Sequence, residues 1–326
     1  MRVLFWGTPE FGLPSLEAMR GAGHDIAGVV TNPDRPAGRG RRPRTSAVKA
    51  WALEAGVPVL QPERPGEEAF LAAARRLRPD ISVVAAYGRL LPQVALDLPP
   101  LGSLNVHASL LPALRGAAPI NWAIIRGHQE SGVSIQRMVA ELDAGPVLGQ
   151  TRIPIPAAMT AGELYAEAAK AGGARLVAVL DDLASGRAVE RAQDDARATW
   201  APKLDRETAR IDWSRPAAEV ANWLRGCDPW PAAWTSLAAP AALAGRTVQC
   251  FEPGVEGSPA GGTDLDRTHS GAAPGTVVRA DPVRGLRVAT GSGAVSVGAV
   301  KPAGRRRMSA AAWVRGLPDP KEVRFD

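Results

Sequence analysis

Up to about residue 185, short apolar runs alternate with stretches of helical period. Residues 3–6, 26–31, 81–86 and 103–106 are almost continuously apolar, the pattern of parallel strands buried on both faces. Between them, residues 13–20, 47–55, 67–77 and 119–126 read as helices, most of them ended by Gly or Pro. Strand and helix in alternation predict a doubly wound α/β sheet. A long helix opens at Thr160, where Glu163 completes a capping box. It runs through Leu164, Ala168, Ala171, Leu176 and Leu180 to about Ala184. After Gly186 the texture changes. Residues 187–206 are polar and aperiodic, which reads as a linker crossing the surface. One helix follows at 217–225, then short β-prone runs at 234–237, 247–251, 275–278, 286–290 and 294–300, parted by Gly and Pro. Such runs predict a small barrel, for which an OB-like barrel is one candidate. The expected organisation is thus a first domain at 1–186, a linker at 187–206 and a second domain at 207–326. The Gly-, Ser-, Thr- and Asp-rich stretch 254–274 reads as a mobile connection between strands. No internal repeat is visible.

Composition narrows the class. The 326 residues suit two compact domains, and 45% apolar with 22% charged residues can form ordinary cores. No run reaches the roughly 18 apolar residues of a membrane helix. The opening Met1-Arg2-Val3-Leu4-Phe5-Trp6-Gly7 is too short and too soon punctuated for a signal peptide. A cytoplasmic protein without a membrane partner is expected. Cys227 and Cys250 have neither CxxC nor zinc-like spacing, so two buried thiols are expected and no metal is implied. A net charge of +6 and a pI of about 9.9 admit a polyanionic partner. Much of that charge is Arg, which GC-rich coding also favours, so charge alone leaves nucleic-acid binding undecided. Trp200, Trp213, Trp223, Trp230 and Trp234 are candidates for base stacking, but their apolar or Pro-rich contexts favour packing.

The most informative stretch is Asn105-Val106-His107-Ala108-Ser109-Leu110-Leu111-Pro112, at the carboxyl end of an expected buried strand. Ligands of open α/β sheets collect outside such ends. Strand alternation puts Asn105 and His107 on one side, an amide and an imidazole suited to a developing oxyanion. The alternative is that His107 caps the following loop and Asn105 satisfies turn backbone. Residues 131–137 then read as a strand with alternating faces, followed by Glu141-Leu142-Asp143-Ala144-Gly145-Pro146. An Asp in that turn can hold a protonated His or pass protons through water, or merely bond its own backbone as an Asx turn. Spacing does not decide between them. The stretch from Asn32 to Ser46 reads as a loop that contains Arg35, Arg39, Arg41, Arg42 and Arg44 among Gly and Pro, and Arg305, Arg306 and Arg307 form a second basic cluster. Either set can contact phosphates or simply be solvated.

Ordered motifs along nearly the whole chain resemble the folate-dependent formyltransferases, and within them the methionyl-tRNA formyltransferase family. The core of the resemblance is Asn105-Val106-His107, Ser109-Leu110-Leu111-Pro112, Arg115-Gly116-Ala117-Ala118-Pro119 and Leu142-Asp143-Ala144-Gly145. Around it lie Phe5-Trp6-Gly7-Thr8-Pro9-Glu10-Phe11, Pro33-Asp34-Arg35-Pro36-Ala37-Gly38-Arg39-Gly40, Ala201-Pro202-Lys203, Pro229-Trp230-Pro231-Ala232 and Lys301-Pro302-Ala303-Gly304-Arg305-Arg306-Arg307-Met308. One departure is Leu114, where the family has an aromatic residue. The resemblance implies a Rossmann-like catalytic domain followed by an OB-like tRNA-binding domain. It implies that Asn105, His107 and Asp143 form a catalytic trio, with Asp143 orienting His107. The reaction implied moves a formyl group from 10-formyltetrahydrofolate to the amino group of initiator methionyl-tRNA. The folate is expected along Ser109, Leu110, Leu111 and Pro112, with backbone at Tyr87, Gly88, Arg89, Leu90 and Leu91 and at 139–143 holding the pteridine. The arginine stretch is expected to enter the tRNA acceptor arm. The first glycine loop is not GxGxxG, so no NAD is expected; a monomer is expected. Two rivals are an enzyme that formylates a small amine and a tRNA-binding protein without catalysis.

Overall fold

The computed structural model describes residues 1–37, 42–255, 271–283, 285–317 and 319–326. The N-terminal region runs β1 (Arg2–Gly7), α1 (Leu13–Gly21), β2 (Asp25–Val30), a hairpin of β3 (Arg35–Ala37) and β4 (Arg42–Arg44), α2 (Ala47–Glu54), β5 (Val59–Leu60), α3 (Glu68–Arg76), β6 (Ile81–Ala85), α4 (Gln93–Leu96), β7 (Ser103–His107), α5 (Pro119–Ile125), β8 (Glu130–Arg137), β9 (Val147–Pro154) and α6 (Ala161–Ala184). Seven strands form one sheet in the order β5-β2-β1-β6-β7-β8-β9. The first five pair in parallel; β8 and β9 are antiparallel. Val3, Leu4, Phe5 and Trp6 of β1 are fully buried, as a central strand covered on both faces requires. Each such large apolar side chain contributes about 1.5–3 kcal/mol. The indole of Trp6 donates to Ser82 Oγ at 3.1 Å and meets Phe70 and Tyr87 edge-on. Because β1 lies between β2 and β6, the crossovers leave it in opposite directions. A crevice therefore opens outside the strand ends.

The expected capping box is present: the Thr160 N–H donates to Glu163 Oε2 at 2.7 Å and the Glu163 N–H donates to Thr160 Oγ1 at 3.3 Å. β9 was not among the expected strands. It is the sheet edge, and its Gln150, Thr151 and Arg152 suit an edge strand better than a buried run.

The C-terminal region contains α7 (Ala217–Gly226), β10 (Trp234–Ala239), β11 (Thr247–Val255), β12 (Val277–Asp281), β13 (Gly285–Ala289), β14 (Ala294–Pro302), β15 (Met308–Ser309), α8 (Ala310–Arg315) and β16 (Arg324–Phe325). Its antiparallel order is β12-β13-β14-β11-β10-β16, and a bridge from Thr276 to Arg324 joins the two ends into a small barrel. The barrel is filled by Val248, Cys250, Val288, Val295, Val297 and Phe325, and covered by Val220, Ala221 and Leu224 of α7. Trp213 stacks on Phe325 with ring centroids 5.6 Å apart. Cys227 and Cys250 are free and buried, and burial pushes both thiols up to about 12. Trp213 is buried and Trp223 and Trp234 pack against this core, whereas Trp200 and Trp230 are exposed.

The chain divides into two compact units that do not follow it in order. The first comprises Met1–Pro119, Glu130–Pro154 and Tyr165–Ala201; the second comprises Ile120–Gln129, Ile155–Leu164 and Pro202–Asp326. Within the second unit Asn121 Nδ2 donates to the Gly226 carbonyl at 2.7 Å, Trp122 meets Trp223 edge-on and Ile125 packs on the barrel core. Among the described residues no helix is long and apolar enough to cross a membrane.

Candidate active site

Asn105 and His107 lie on one face of β7, and the antiparallel register sets Gln136 and Ser134 of β8 opposite them. After β8 the chain turns back on itself. Gly145 permits this, because a Cβ there would run into the Arg137 carbonyl oxygen. Asp143 sits in this turn at φ 52°, in the left-handed region that Asp tolerates better than most residues. Its carboxylate Oδ1 accepts from Gln136 Nε2 at 2.8 Å and from Asn105 Nδ2 at 3.3 Å, and Oδ2 accepts from the Gly116 N–H at 2.9 Å. Gly116 is at φ 114°, and a Cβ on it would stand 2.8 Å from the Ala201 carbonyl. Only glycine suits that place.

His107 is 5% exposed. Its Nε2 stands 3.0 Å from the Leu114 carbonyl oxygen. A carbonyl only accepts, so Nε2 carries a proton and donates. Nδ1 then faces Asp143 Oδ1 at 3.6 Å, within ion-pair range but beyond a hydrogen bond. The imidazole is therefore oriented chiefly by Leu114. That residue is buried at φ 61°, a conformation costing about 1–3 kcal/mol for a bulky side chain. Its N–H donates to Thr199 Oγ1 at 2.9 Å, which helps hold this left-handed backbone conformation in place. Sequence reasoning missed Leu114, Gly116, Gln136 and Thr199 as parts of this cluster. Gln136 carried a signal as a polar residue on the inward face of a buried strand, and Leu114 and Gly116 stood in or beside a family motif, but nothing in the sequence pointed to Thr199.

A cavity of about 610 Å³ adjoins the cluster. Gly88, Arg89, Leu90 and Leu91 line one side, Met138, Val139, Ala140, Glu141, Leu142 and Asp143 another, and Asn105 and Gln136 reach its wall. Leu90, Val139 and Leu142 are exposed apolar side chains along it. Burial raises the Tyr87 phenol above its usual value. Ser109, Leu110, Leu111 and Pro112 do not line this cavity. Ser109 and Leu111 are buried and tied to their surroundings: Ser109 Oγ donates to the Ala113 carbonyl at 2.6 Å, the Leu111 N–H donates to Ser134 Oγ at 3.0 Å, and Ser134 Oγ donates to the Ser109 carbonyl at 2.7 Å; Leu110 and Pro112 are half-buried. Among the described residues no group of His, Cys, Asp and Glu is set to hold a metal.

Of the arginines in the first basic stretch, Arg35, Arg42 and Arg44 fall on the β3–β4 hairpin, in which Arg35 pairs with Arg44 and Ala37 with Arg42. Arg39 and Arg41 lie outside the described residues. Arg305, Arg306 and Arg307 are exposed between β14 and β15. Arg307 is held by Asp228 at 3.2 Å and Glu252 at 3.0 Å, with its guanidinium 4.0 Å from the Phe251 ring centre.

Residues 1–180 match the formyl transferase family and residues 203–318 match the formyl transferase C-terminal domain. The methionyl-tRNA formyltransferase of Thiobacillus denitrificans is 46% identical over 319 residues, 97% of this chain and 96% of that protein. That of Moorella thermoacetica is 41% identical over 318 residues, 98% and 97% of the two chains. Among solved structures, HypX from Aquifex aeolicus in complex with tetrahydrofolic acid aligns at a TM-score of 0.63 and 19% identity over 98% of this chain; this chain spans 47% of HypX. The sugar 3N-formyl transferase WlaRD aligns at a TM-score of 0.63 and 13% identity, over 94% of this chain and 99% of that one. At these identities the two structures speak for the fold. With both domains matched in order, and relatives at 46% and 41% identity over nearly the full length, the chain belongs to the methionyl-tRNA formyltransferase family.

Proposed function

We propose that this chain transfers the formyl group of 10-formyltetrahydrofolate to the free amino group of initiator methionyl-tRNA, with Asn105, His107 and Asp143 as the acting side chains. The observation that carries this reading is the meeting of those three side chains at the strand ends, beside a cavity with apolar walls. A cavity of about 610 Å³ between two main-chain segments suits a flat, amide-edged heterocycle. The folate, when bound, supplies a formyl carbon open to attack by an amine. Asn105 Nδ2 has a second hydrogen beyond the one given to Asp143, available for charge developing on the formyl oxygen. His107 Nδ1 holds a proton for the same oxygen while Nε2 stays fixed on Leu114. Asp143, its carboxylate pinned by three N–H donors, takes the proton released by the amine, directly or through water, and that proton is returned to the tetrahydrofolate nitrogen as its bond to the formyl carbon breaks. The donors are set in place before reaction, which is where such sites draw most of their rate.

Arg35, Arg39, Arg41, Arg42 and Arg44 meet the acceptor arm in this reading, and Arg305 and Arg306 on the barrel contact phosphates. Arg307 is already committed to Asp228 and Glu252 and stiffens that turn. In this reading the protein works in the cytoplasm as a monomer. The test is incubation of the purified protein with 10-formyltetrahydrofolate and either charged initiator tRNA or a nucleotide-linked amino sugar. The expected product is N-formylmethionyl-tRNA. Formylation of the sugar with the tRNA left unmodified would move the chain to the small-amine class.

A further inference from the structure

The Asp143 carboxylate is held from the sheet, but its main chain is held from elsewhere. Gln193, which follows α6 in the stretch that reads as a surface linker, points its side-chain amide at the turn. Nε2 donates to the carbonyl oxygens of Asp143 and Gly145, both at 2.7 Å, and lies 3.3 Å from Gln136 Oε1. Oε1 accepts from Arg115 Nε at 3.1 Å and Nη2 at 2.8 Å. Arg115 is 2% exposed, and its Nη2 also donates to Asp195 Oδ1 at 2.6 Å. A guanidinium has only donors, so the amide has one orientation here, with oxygen toward Arg115 and both hydrogens toward the turn. The backbone around Gln193 is itself anchored: Arg191 and Val147 exchange two main-chain hydrogen bonds, at 2.8 and 3.0 Å. At the base of the turn the Arg137 N–H donates to the Pro146 carbonyl at 2.9 Å, but the main chain of its tip has little else to hold it. Ala140, Glu141 and Leu142 are exposed, and its own Ala144 N–H to Glu141 carbonyl bond is 3.4 Å long.

We infer that Gln193, locked by the buried Arg115, is a positioning residue for Asp143, keeping the left-handed turn in the one arrangement that delivers the carboxylate to Asn105 and His107. The inference rests on the reading that Asp143 acts in formyl transfer, and adds the strut on which that action depends. A loosened turn shifts the carboxylate, and a misplacement of about 1 Å can cost on the order of 100-fold in rate.

The experiment is a kinetic double-mutant cycle on the full-length protein with Gln193→Ala, Asp143→Ala and the pair, together with Gln193→Glu. Gln193→Ala is expected to lower kcat by about 10-fold or more, with the KM for charged tRNA within about twofold of wild type. On the Asp143→Ala background the same change should lower the residual rate by less than about twofold, because the group it positions is gone. Gln193→Glu keeps the length and the Arg115 contact but turns a carboxylate oxygen on two carbonyl oxygens. It should be as slow as the alanine variant at pH 8, and recover relative to wild type as acid protonates the glutamate and restores a donor. If the alanine variant does not fold, the glutamate variant carries the test alone. A wild-type kcat in Gln193→Ala, equal losses on both backgrounds, or a fully active Gln193→Glu at pH 8 would overturn the inference. Full activity in Asp143→Ala would instead sink the reading of the site beneath it.

Discussion

His107 has one nitrogen tied to a main-chain carbonyl and the other facing a carboxylate 3.6 Å away. This leaves Nδ1 as the nitrogen free to exchange a proton, while the ring itself cannot turn. Asp143 is constrained in the complementary way, by three N–H donors that leave the carboxylate only an accepting role. Replacing Asn105, His107 or Asp143 by alanine should each lower kcat by roughly 100-fold or more. Steady-state kinetics at saturating substrates check this, with circular dichroism to show the fold unchanged. A folded variant with near wild-type turnover would remove that residue from the mechanism. The pairing of Asn105 with His107 was legible in the sequence because a strand repeats every two residues. Asp143 was not placed by spacing. It reaches Asn105 across 38 positions of chain through the β7–β8 register and a turn that only Gly145 allows.

At the scale of elements, the first arginine stretch is partly a hairpin rather than a loop throughout, with Arg35 opposite Arg44 in the β3–β4 ladder. A two-stranded ribbon gives those positions a shared register that a coil would lack. Substituting Arg35, Arg42 and Arg44 together by glutamine should raise the KM for charged tRNA and leave folate affinity within about twofold. The slope of log affinity against log salt should flatten by about 0.9 for each phosphate no longer neutralised. Rate measurements across a salt series decide this, and an unchanged slope would make the stretch a solubilising segment. The long helix α6 was legible to within a residue, because its cap is local chemistry between Thr160 and Glu163. β9 was not, since an edge strand solvated on one side carries no apolar run.

At the scale of the molecule, two compact units interleave along the chain, with α5 from Ile120 onward and residues 155–164 grouped with the barrel. A cut after residue 206 therefore falls inside a folded body and does not run between two. It strips Asn121, Trp122 and Ile125 of their partners Gly226, Trp223 and the barrel core. A fragment of residues 1–206 should melt well below the full-length protein and bind a hydrophobic dye that the full-length protein does not. Thermal denaturation and dye fluorescence are the measurements. A fragment that melts with the intact chain would show that α5 is stable without the barrel.

The sequence by itself determined the order and type of the main elements. Apolar period, capping residues and Gly or Pro punctuation act over a few residues and are written where they act. It also contained the motifs that mark the family, and the polar pair on β7. The tertiary structure alone decided that Leu114 orients His107 from a left-handed backbone conformation, that Gly116 and Gln136 hold Asp143, and that Gln193 braces its turn from a segment that reads as a linker. These interactions join residues far apart in the chain or held in unusual backbone states. Their geometry depends on strand register and on which turns can approach one another, and neither quantity has a local signature.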